Sequence, residues 1–238
     1  GDIDRNATTW YADEKTYGHR QALRTRHDLM MQRQRSTNAI RAMLNAYKIT
    51  GFPSSLSSKK SFAALSNLEM GTESQTIALQ AHVSQLIATN ESIAMLDQQI
   101  KSISKDTAAG ELQRHVPYLG PLTAAVIVNE LGDVSRFRSS RAVAAYAGLV
   151  PRVSQSADKA HHGRLTKRGN RELRHVLGEW AVRLMSHDPL VTSWAAPRLR
   201  KTHRNKVRIA LARRLLIGVY KTLATGEAFS MERCLGLV

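Results

Sequence analysis

The chain has 238 residues, 42% of them apolar, and a formal net charge of +16. This length suits one large domain or two small ones, with enough apolar residues to bury a core. Because neither a run of 18 apolar residues nor a basic-then-apolar leader is present, the sequence predicts no membrane span and no export, and favours a cytoplasmic protein. The single cysteine, Cys234, excludes an internal disulfide and a cysteine-clustered zinc site.

The positive charge is concentrated in the second half of the chain. Residues 1–113 carry 13 Lys and Arg against 11 Asp and Glu, a difference of +2, whereas residues 114–238 carry 22 against 8, a difference of +14. A basic region attracts polyanions, and arginine favours phosphate oxygens through its planar set of donors. The charge therefore predicts a nucleic-acid partner, with a solvated basic surface as the alternative.

Two long helices are predicted in the first half. Residues 18–48 carry apolar side chains at mostly helical spacing and end before the breaker GFPSSLSS. From Leu79 onwards a heptad seam runs through positions 79, 83, 86, 90, 93, 97 and 100. Its polar members, Asn90 and Asp97, are expected to weaken the pairing and to fix its register. The pattern predicts an antiparallel hairpin or a dimerising coiled coil, and an ordinary bundle core is the alternative.

A turn of helix-hairpin-helix type is predicted after the boundary DTAAGEL. RHVPYLGPLTAAVIVNELGD places a Pro-aromatic-Leu-Gly-Pro turn before an apolar helix, 122–131, that begins at Pro121. Such a helix N-terminus can bind a phosphate through its free amides and its dipole. Pro121 has no amide hydrogen, so the expected donors are Gly120, Leu122 and Thr123. A plain turn between two packed helices is the alternative.

The remainder of the chain is predicted to be helical around one polar loop. Helices are expected at about 140–146, at 171–187 with Asn170 as its cap, and at about 206–225. Between the first two of these lies the loop, which is rich in Lys and Arg. No strand pattern of any length is found, so the fold class predicted is all-α: a long helical hairpin or coiled coil followed by a helical domain.

These blocks resemble a known family in their order. The sequence VPYLGPLTAAVIVNELGD, then FRSSRAVAAYAGLVPR, a serine-bearing loop, GRLTKRGNRELRHVL and VRIALARRLLIGVYKTL resembles the C-terminal domain of the bacterial insertion-sequence transposases that include the Piv-type DNA invertases. Upstream, RQALRTRHDLMMQRQRSTNAIRAMLNAYKI looks like the linker helix of that family. The resemblance covers roughly residues 18–226.

The resemblance implies a DNA recombinase in which a serine attacks a phosphodiester. The tripeptide that is usually serine-serine-glycine in the family is Gln155-Ser156-Ala157 here, so Ser156 matches the nucleophile and Ser154 is a second candidate. Ala157 would resist a positive φ that glycine allows. A cationic setting that stabilises the attacking oxygen and the charged phosphorus state is expected from Arg152, Arg164, Lys167, Arg168, Arg171 and Arg174. His161 and His162 are candidates for a general acid or base, although the simpler interpretation is that they are polar side chains on the surface.

The family also carries an N-terminal RuvC-like domain whose four acids bind metal, and this chain shows no match to it. Only GDIDRNATTWYADEK precedes the first predicted helix, and its acids do not fit the family motif. The predicted organisation is a tail from the missing domain at 1–17, coiled-coil helices at 18–110 and the transposase domain at 111–238. We expect no cofactor in this chain, and Mg²⁺ only together with the missing domain.

Three functions are therefore considered. The first is the serine-dependent part of a DNA transposase at the bacterial nucleoid, with double-stranded DNA as its partner. Some members of the family also use a structured guide RNA. A homo-oligomer, either a dimer or a tetramer, is expected to form through the coiled coil. The second is a catalytically inactive helix-hairpin-helix DNA-binding protein from a truncated transposase. The third is a structural adaptor with an incidental basic surface.

Overall fold

A computed structural model describes residues 11–53, 55–105, 107–156, 159–165 and 169–237. Most of these residues are helical, which confirms the all-α class. The helices are α1 (Glu14–Ala46), α2 (Lys59–Ser66), α3 (Glu73–Lys105), α4 (Ala108–His115), α5 (Pro121–Leu131), α6 (Ser140–Tyr146), α7 (Arg171–His187), α8 (Pro189–Leu199), α9 (Arg204–Thr225) and α10 (Met231–Leu235). None of the helices in these ranges is long and apolar enough to cross a membrane.

The chain divides into two compact units. The helical-hairpin unit comprises residues 21–100, and the basic unit comprises the residues up to Arg20 together with those from Lys101 onwards. The helical-hairpin unit contains most of α1 and α3, which run antiparallel, with α2 in the connection between them. The Ser36 hydroxyl donates to the side chain of Gln85 at 2.9 Å, and Tyr47 pairs with Gln75 nearer the connection. The two helices thus form a hairpin within one chain.

The predicted heptad seam lies at the contact between α1 and α3. Its five apolar members on α3 are buried, and so are several residues on α1 that occupy the matching positions: Leu79, Val83, Leu86, Ile93 and Ile100 on α3, with Leu23, Ile40 and Leu44 on α1. Burial of this apolar seam is the main force that holds the two helices together.

Both polar seam residues face an arginine of α1. Asp97 accepts hydrogen bonds from Arg26 at 2.5 and 3.4 Å, and Asn90 accepts one from Arg33 at 3.2 Å. Along the contact between α1 and α3, polar residues of one helix therefore lie opposite polar residues of the other, and apolar residues lie opposite apolar residues. A slip of the register would bury Arg26 or Arg33 against apolar side chains, which is costly for a charge.

The basic unit is built around α7 and α9. These two helices pack on each other, α5 and α8 pack on α7, and α6 and α10 pack on α9. The core between them consists largely of leucines: Leu173, Leu177, Leu184, Leu211, Leu215 and Leu216. This core fixes the relative positions of the helix ends that carry the candidate site.

The segment that the sequence predicts as a polar loop contains a strand pair, which the sequence pattern did not predict. β1 (Pro151–Ser156) and β2 (Lys159–Leu165) pair antiparallel, with an irregularity between Pro151 and Val153. Backbone N–H and C=O groups find partners in this ladder without help from the side chains. Polar strands of this kind show no apolar alternation, which is why the sequence pattern did not reveal them.

The layered contact of α1 with α3 predicts energetic coupling between Arg26 and Asp97. Their side chains are 16% and 41% exposed, so a double-mutant cycle with Arg26→Ala and Asp97→Ala should give a coupling of about 0.5–1 kcal/mol in urea unfolding. The exposed pair Glu111 and Arg114 on α4 is the control and should give about 0.3 kcal/mol. Equal coupling in both pairs would contradict a role for the layer.

Candidate nucleic-acid interface

The turn between α4 and α5 leads into a helix start that has no side-chain cap. Gly120 is the N-cap of α5, no side chain caps this end, and Pro121 occupies the first turn. The backbone of Ala124 already donates to Gly120 O at 3.0 Å. Because Pro121 has no N–H, the amides that the first turn can offer to a ligand are those of Leu122 and Thr123.

Tyr118 holds this turn against α7. It adopts a φ of +55°, which is costly for a residue with a side chain. Its hydroxyl donates to the carbonyl of His187 at 3.0 Å, and its ring stacks on that of His187 with 6.3 Å between centroids. The turn is therefore fixed to the C-terminal end of α7.

Arg183 on α7 adds a positive charge to the turn. Its Nη1 lies 3.6 Å from the position that a Cβ on Gly120 would occupy, and its side chain is exposed. A guanidinium beside the N-terminus of α5 reinforces the attraction of that end for a phosphate. Sequence analysis missed Arg183 because its approach to Gly120 depends on the packing of α7 against α5.

The β1–β2 hairpin is rooted by a close backbone contact. Gly169, at φ +126°, lies so near the end of α6 that a Cβ there would be 2.6 Å from Gly148 N and 2.7 Å from Tyr146 O. The next residue, Asn170, donates its backbone N–H to Tyr146 O at 2.7 Å. Only glycine fits at position 169, so the chain returning from β2 is held against the residues that lead into β1.

Glu130 stabilises this root from within the core. It is fully buried, and its carboxylate accepts a hydrogen bond of 2.7 Å from the Asn170 side-chain amide. Arg20 lies 3.8 Å from the same carboxylate oxygen and donates to the backbone carbonyl of Glu130 at 3.1 Å. Tyr146 O–H also donates to that carbonyl, at 3.1 Å. A buried carboxylate requires such partners, and through them Glu130 links α1, α5, α6 and the start of α7.

Asn170 also caps α7, as the sequence predicted. Its side-chain oxygen accepts a hydrogen bond of 2.9 Å from the backbone N–H of Leu173. Its side chain is therefore used at both ends, since the amide donates to Glu130 while the oxygen caps the helix.

The predicted phosphate-binding side chains lie on α7, on the two strands and outside the described residues. Arg171 is exposed at the first position of α7. Arg174 donates to Ala147 O at 3.2 Å, so it helps to hold the end of α6. Arg152 lies on β1 and Arg164 on β2, while Lys167 and Arg168 lie outside the described residues.

The two serine candidates lie on β1, close to its end. In the backbone register Ser156 pairs with Lys159, Ser154 with His161, and Val153 with His162, while Ala157 lies outside the described residues. The register therefore brings the serine-bearing strand alongside the histidine-bearing strand.

A metal site does not fit the part of the chain that the structure describes. Three or more His, Cys, Asp or Glu side chains do not cluster anywhere in it.

Comparison with known proteins finds similarity to bacterial insertion-sequence transposases. Residues 111–196, from α4 to α8, match the model of the IS116/IS110/IS902 transposase family. The chain is 29% identical over 144 residues to the transposase for insertion sequence element IS1328 of Yersinia enterocolitica, covering 59% of this chain and 43% of that protein. It is 26% identical over 217 residues to the transposase for insertion sequence element IS1111A of Coxiella burnetii, covering 87% and 58%.

The resemblance to bacterial insertion-sequence transposases is therefore confirmed, and it is centred on residues 111–196. These residues include the α4–α5 turn, the β hairpin and its root. The chain spans about half the length of the two relatives named above, 43% and 58%.

The double role of Asn170 predicts an unusually large effect of its removal. Asn170→Ala deletes a helix cap, worth about 1 kcal/mol, and removes the hydrogen bond that the Asn170 amide donates to the buried Glu130 carboxylate, worth about 1–3 kcal/mol more. Ser139→Ala is the control, because Ser139 caps α6 but is exposed and donates to no buried acid. Urea unfolding should show a larger loss for Asn170→Ala, and equal losses would contradict the role of Glu130.

Proposed function

We propose that this chain binds double-stranded DNA and joins it covalently through a serine, as part of a transposase that recombines DNA. The observation that carries the proposal is the family match, which spans both the α4–α5 turn and the rooted β hairpin. The excess of positive charge in the second half of the chain supports a polyanionic partner.

DNA phosphates are the proposed ligands of the α4–α5 turn. The amides of Leu122 and Thr123, the backbone of Gly120 and the guanidinium of Arg183 would bind one phosphate group. Arg171, exposed at the start of α7, would contact the backbone near the hairpin, together with Arg152, Arg164, Lys167 and Arg168. Such contacts position DNA without reading its sequence. Arg174 is proposed as a positioning residue for the hairpin root.

Ser156 is the proposed nucleophile. Its Oγ would attack the phosphorus of a phosphodiester, forming a serine–phosphate bond and breaking the bond from phosphorus to one sugar oxygen. The hydroxyl proton passes to a base, and the released sugar oxygen takes up a proton. No electron is exchanged with an outside group. His161 and His162 on β2 are the proposed proton-transfer groups, and Ser154 remains the second candidate for the attack.

The oligomeric state, the guide RNA and the metal-binding domain are predictions. A structured guide RNA and a metal-binding RuvC-like domain follow from the resemblance alone, whereas a homo-oligomer formed through α1 and α3 is also one outcome of the heptad pattern. A catalytically inactive DNA-binding protein would share the α4–α5 turn and the basic half of the chain, so covalent chemistry separates the two functions.

Covalent trapping tests the serine directly. With a suicide DNA substrate, Mg²⁺ and a RuvC-like domain of the family supplied, the unaltered chain should form a protein–DNA adduct visible by denaturing electrophoresis. Ser156→Ala should abolish the adduct while leaving duplex binding unchanged, because the hydroxyl contributes to the reaction and not to the electrostatic attraction. Ser154→Ala is the matched control and should keep the adduct. An adduct that survives Ser156→Ala would refute the assignment.

A further inference from the structure

A large groove runs along α9 in the basic unit. Its volume is about 900 Å³, and its walls come from α9, from residues 227–234 and from Leu149. This volume lies within the range of about 300–1,000 Å³ that is typical of ligand sites. The groove is separate from the α4–α5 turn, none of whose residues line it.

The groove is lined by apolar side chains, which we call its floor, and by cationic side chains. Ile209, Ile217 and Leu149 provide apolar surface, while five basic side chains line the walls: Lys206, Arg213, Arg214, Lys221 and Arg233. The acidic residue of the lining, Glu227, accepts a hydrogen bond of 2.8 Å from Arg233. The groove therefore combines net positive charge with surface that a flat apolar group can cover.

Three of the five cations are available to a ligand. Arg233 is paired with Glu227, and Arg214 donates to Cys234 O at 3.0 Å. The side chains of Lys206, Arg213 and Lys221 make no hydrogen bond or ion pair with the residues that the structure describes. Desolvating such cations without an anionic partner is unfavourable, so their common placement around one groove favours a polyanionic occupant.

The wall formed by α10 is packed tightly onto α9. A Cβ on Gly218 would overlap the sulfur of Cys234, so α10 approaches α9 at the one position where a side chain is absent. Cys234 is buried, and burial raises the pKa of its thiol to about 11. The thiol is therefore neutral near pH 7, and the groove carries no thiolate that would repel an anion.

The spacing of the free cations matches a chain of phosphates better than a single anion. Lys206, Arg213 and Lys221 are seven and eight residues apart, which corresponds to about 10 Å and about 12 Å along the axis of α9. One phosphate cannot reach all three, whereas a strand can. The bases can contact the apolar floor only if their faces are accessible. In a duplex the stacked and paired bases hide these faces, so the floor favours an unpaired strand.

We propose that this groove binds an unpaired DNA strand, with its bases against Ile209 and Ile217 and its phosphates along Lys206, Arg213 and Lys221. The inference rests on the proposed function, because a recombinase that exchanges DNA strands separates each cleaved strand from its partner during the exchange. Leu149, one of the lining residues, lies two residues before β1. A strand in the groove would therefore pass close to the root of the hairpin that carries Ser156.

Fluorescence anisotropy with a labelled single-stranded DNA oligonucleotide tests the proposal. In the triple variant Lys206→Gln, Arg213→Gln and Lys221→Gln, affinity should fall, and the slope of log affinity against log salt should decrease by about 2, since each single-strand phosphate contact contributes about 0.7. The control is Arg35→Gln, Lys59→Gln and Lys60→Gln, three exposed residues of the helical-hairpin unit that remove the same charge. This control should leave the slope unchanged.

A second variant tests the floor without changing charge. Ile217→Ser removes apolar surface at a partly exposed position, so it should weaken single-strand binding severalfold at an unchanged salt slope. Circular dichroism establishes that each variant is folded. Unchanged single-strand affinity in both variants would overturn the proposal and would favour a protein segment as the occupant.

Two further arms identify the ligand. The triple variant should bind a self-complementary duplex DNA almost as tightly as the unaltered chain does. The Arg183→Gln variant, changed at the α4–α5 turn, should bind that duplex more weakly. Equal losses for duplex and single strand in the triple variant would overturn the assignment to unpaired DNA, as would a groove-dependent preference for RNA of the same sequence. Failure of the proposed function would give a different result: single-strand binding would still depend on the groove, but no covalent adduct would form at Ser156.

Discussion

The hydrogen bond between the buried Glu130 carboxylate and the Asn170 amide is the interaction on which the candidate site depends. Glu130 is fully buried, so its charge must be satisfied inside the protein, and it receives Asn170 at 2.7 Å with Arg20 nearby. Asn170 in turn begins α7 and follows Gly169, which lies against the end of α6. One buried acid thereby determines where α7 starts and where the polar hairpin leaves the core.

The same principle, polar groups placed where only one arrangement satisfies them, operates in both units. In the helical-hairpin unit, Asp97 and Asn90 interrupt an apolar seam and meet Arg26 and Arg33. These layers add little to stability and strongly disfavour a shifted register. In the basic unit, Glu130 plays the corresponding part. The two units differ in the charge they leave exposed, since the excess of cations lies in the second half of the chain and supports the proposed contact with DNA.

The sequence predicted those parts of the fold that follow from local patterns. The helices at 140–146 and 171–187 and the cap at Asn170 lie where apolar spacing and capping residues placed them. The strand pair within 151–165 was not predicted, because its residues are polar and pair through the backbone. Arg183 beside Gly120, like the groove along α9, arises from helix packing between residues distant in sequence. Neither the position of Arg183 nor the groove produces a regular spacing of residues that could be detected in a single sequence.

The rate of adduct formation in a Gly169→Ala variant tests the central claim most directly. A Cβ at position 169 would meet the backbone of residues 146 and 148 and displace the hairpin root, while the α4–α5 turn lies elsewhere in the sequence. If the root positions the reacting serine, the folded variant should bind duplex DNA as before and form the covalent adduct far more slowly. Adduct formation at the original rate, with duplex binding intact, would contradict the account.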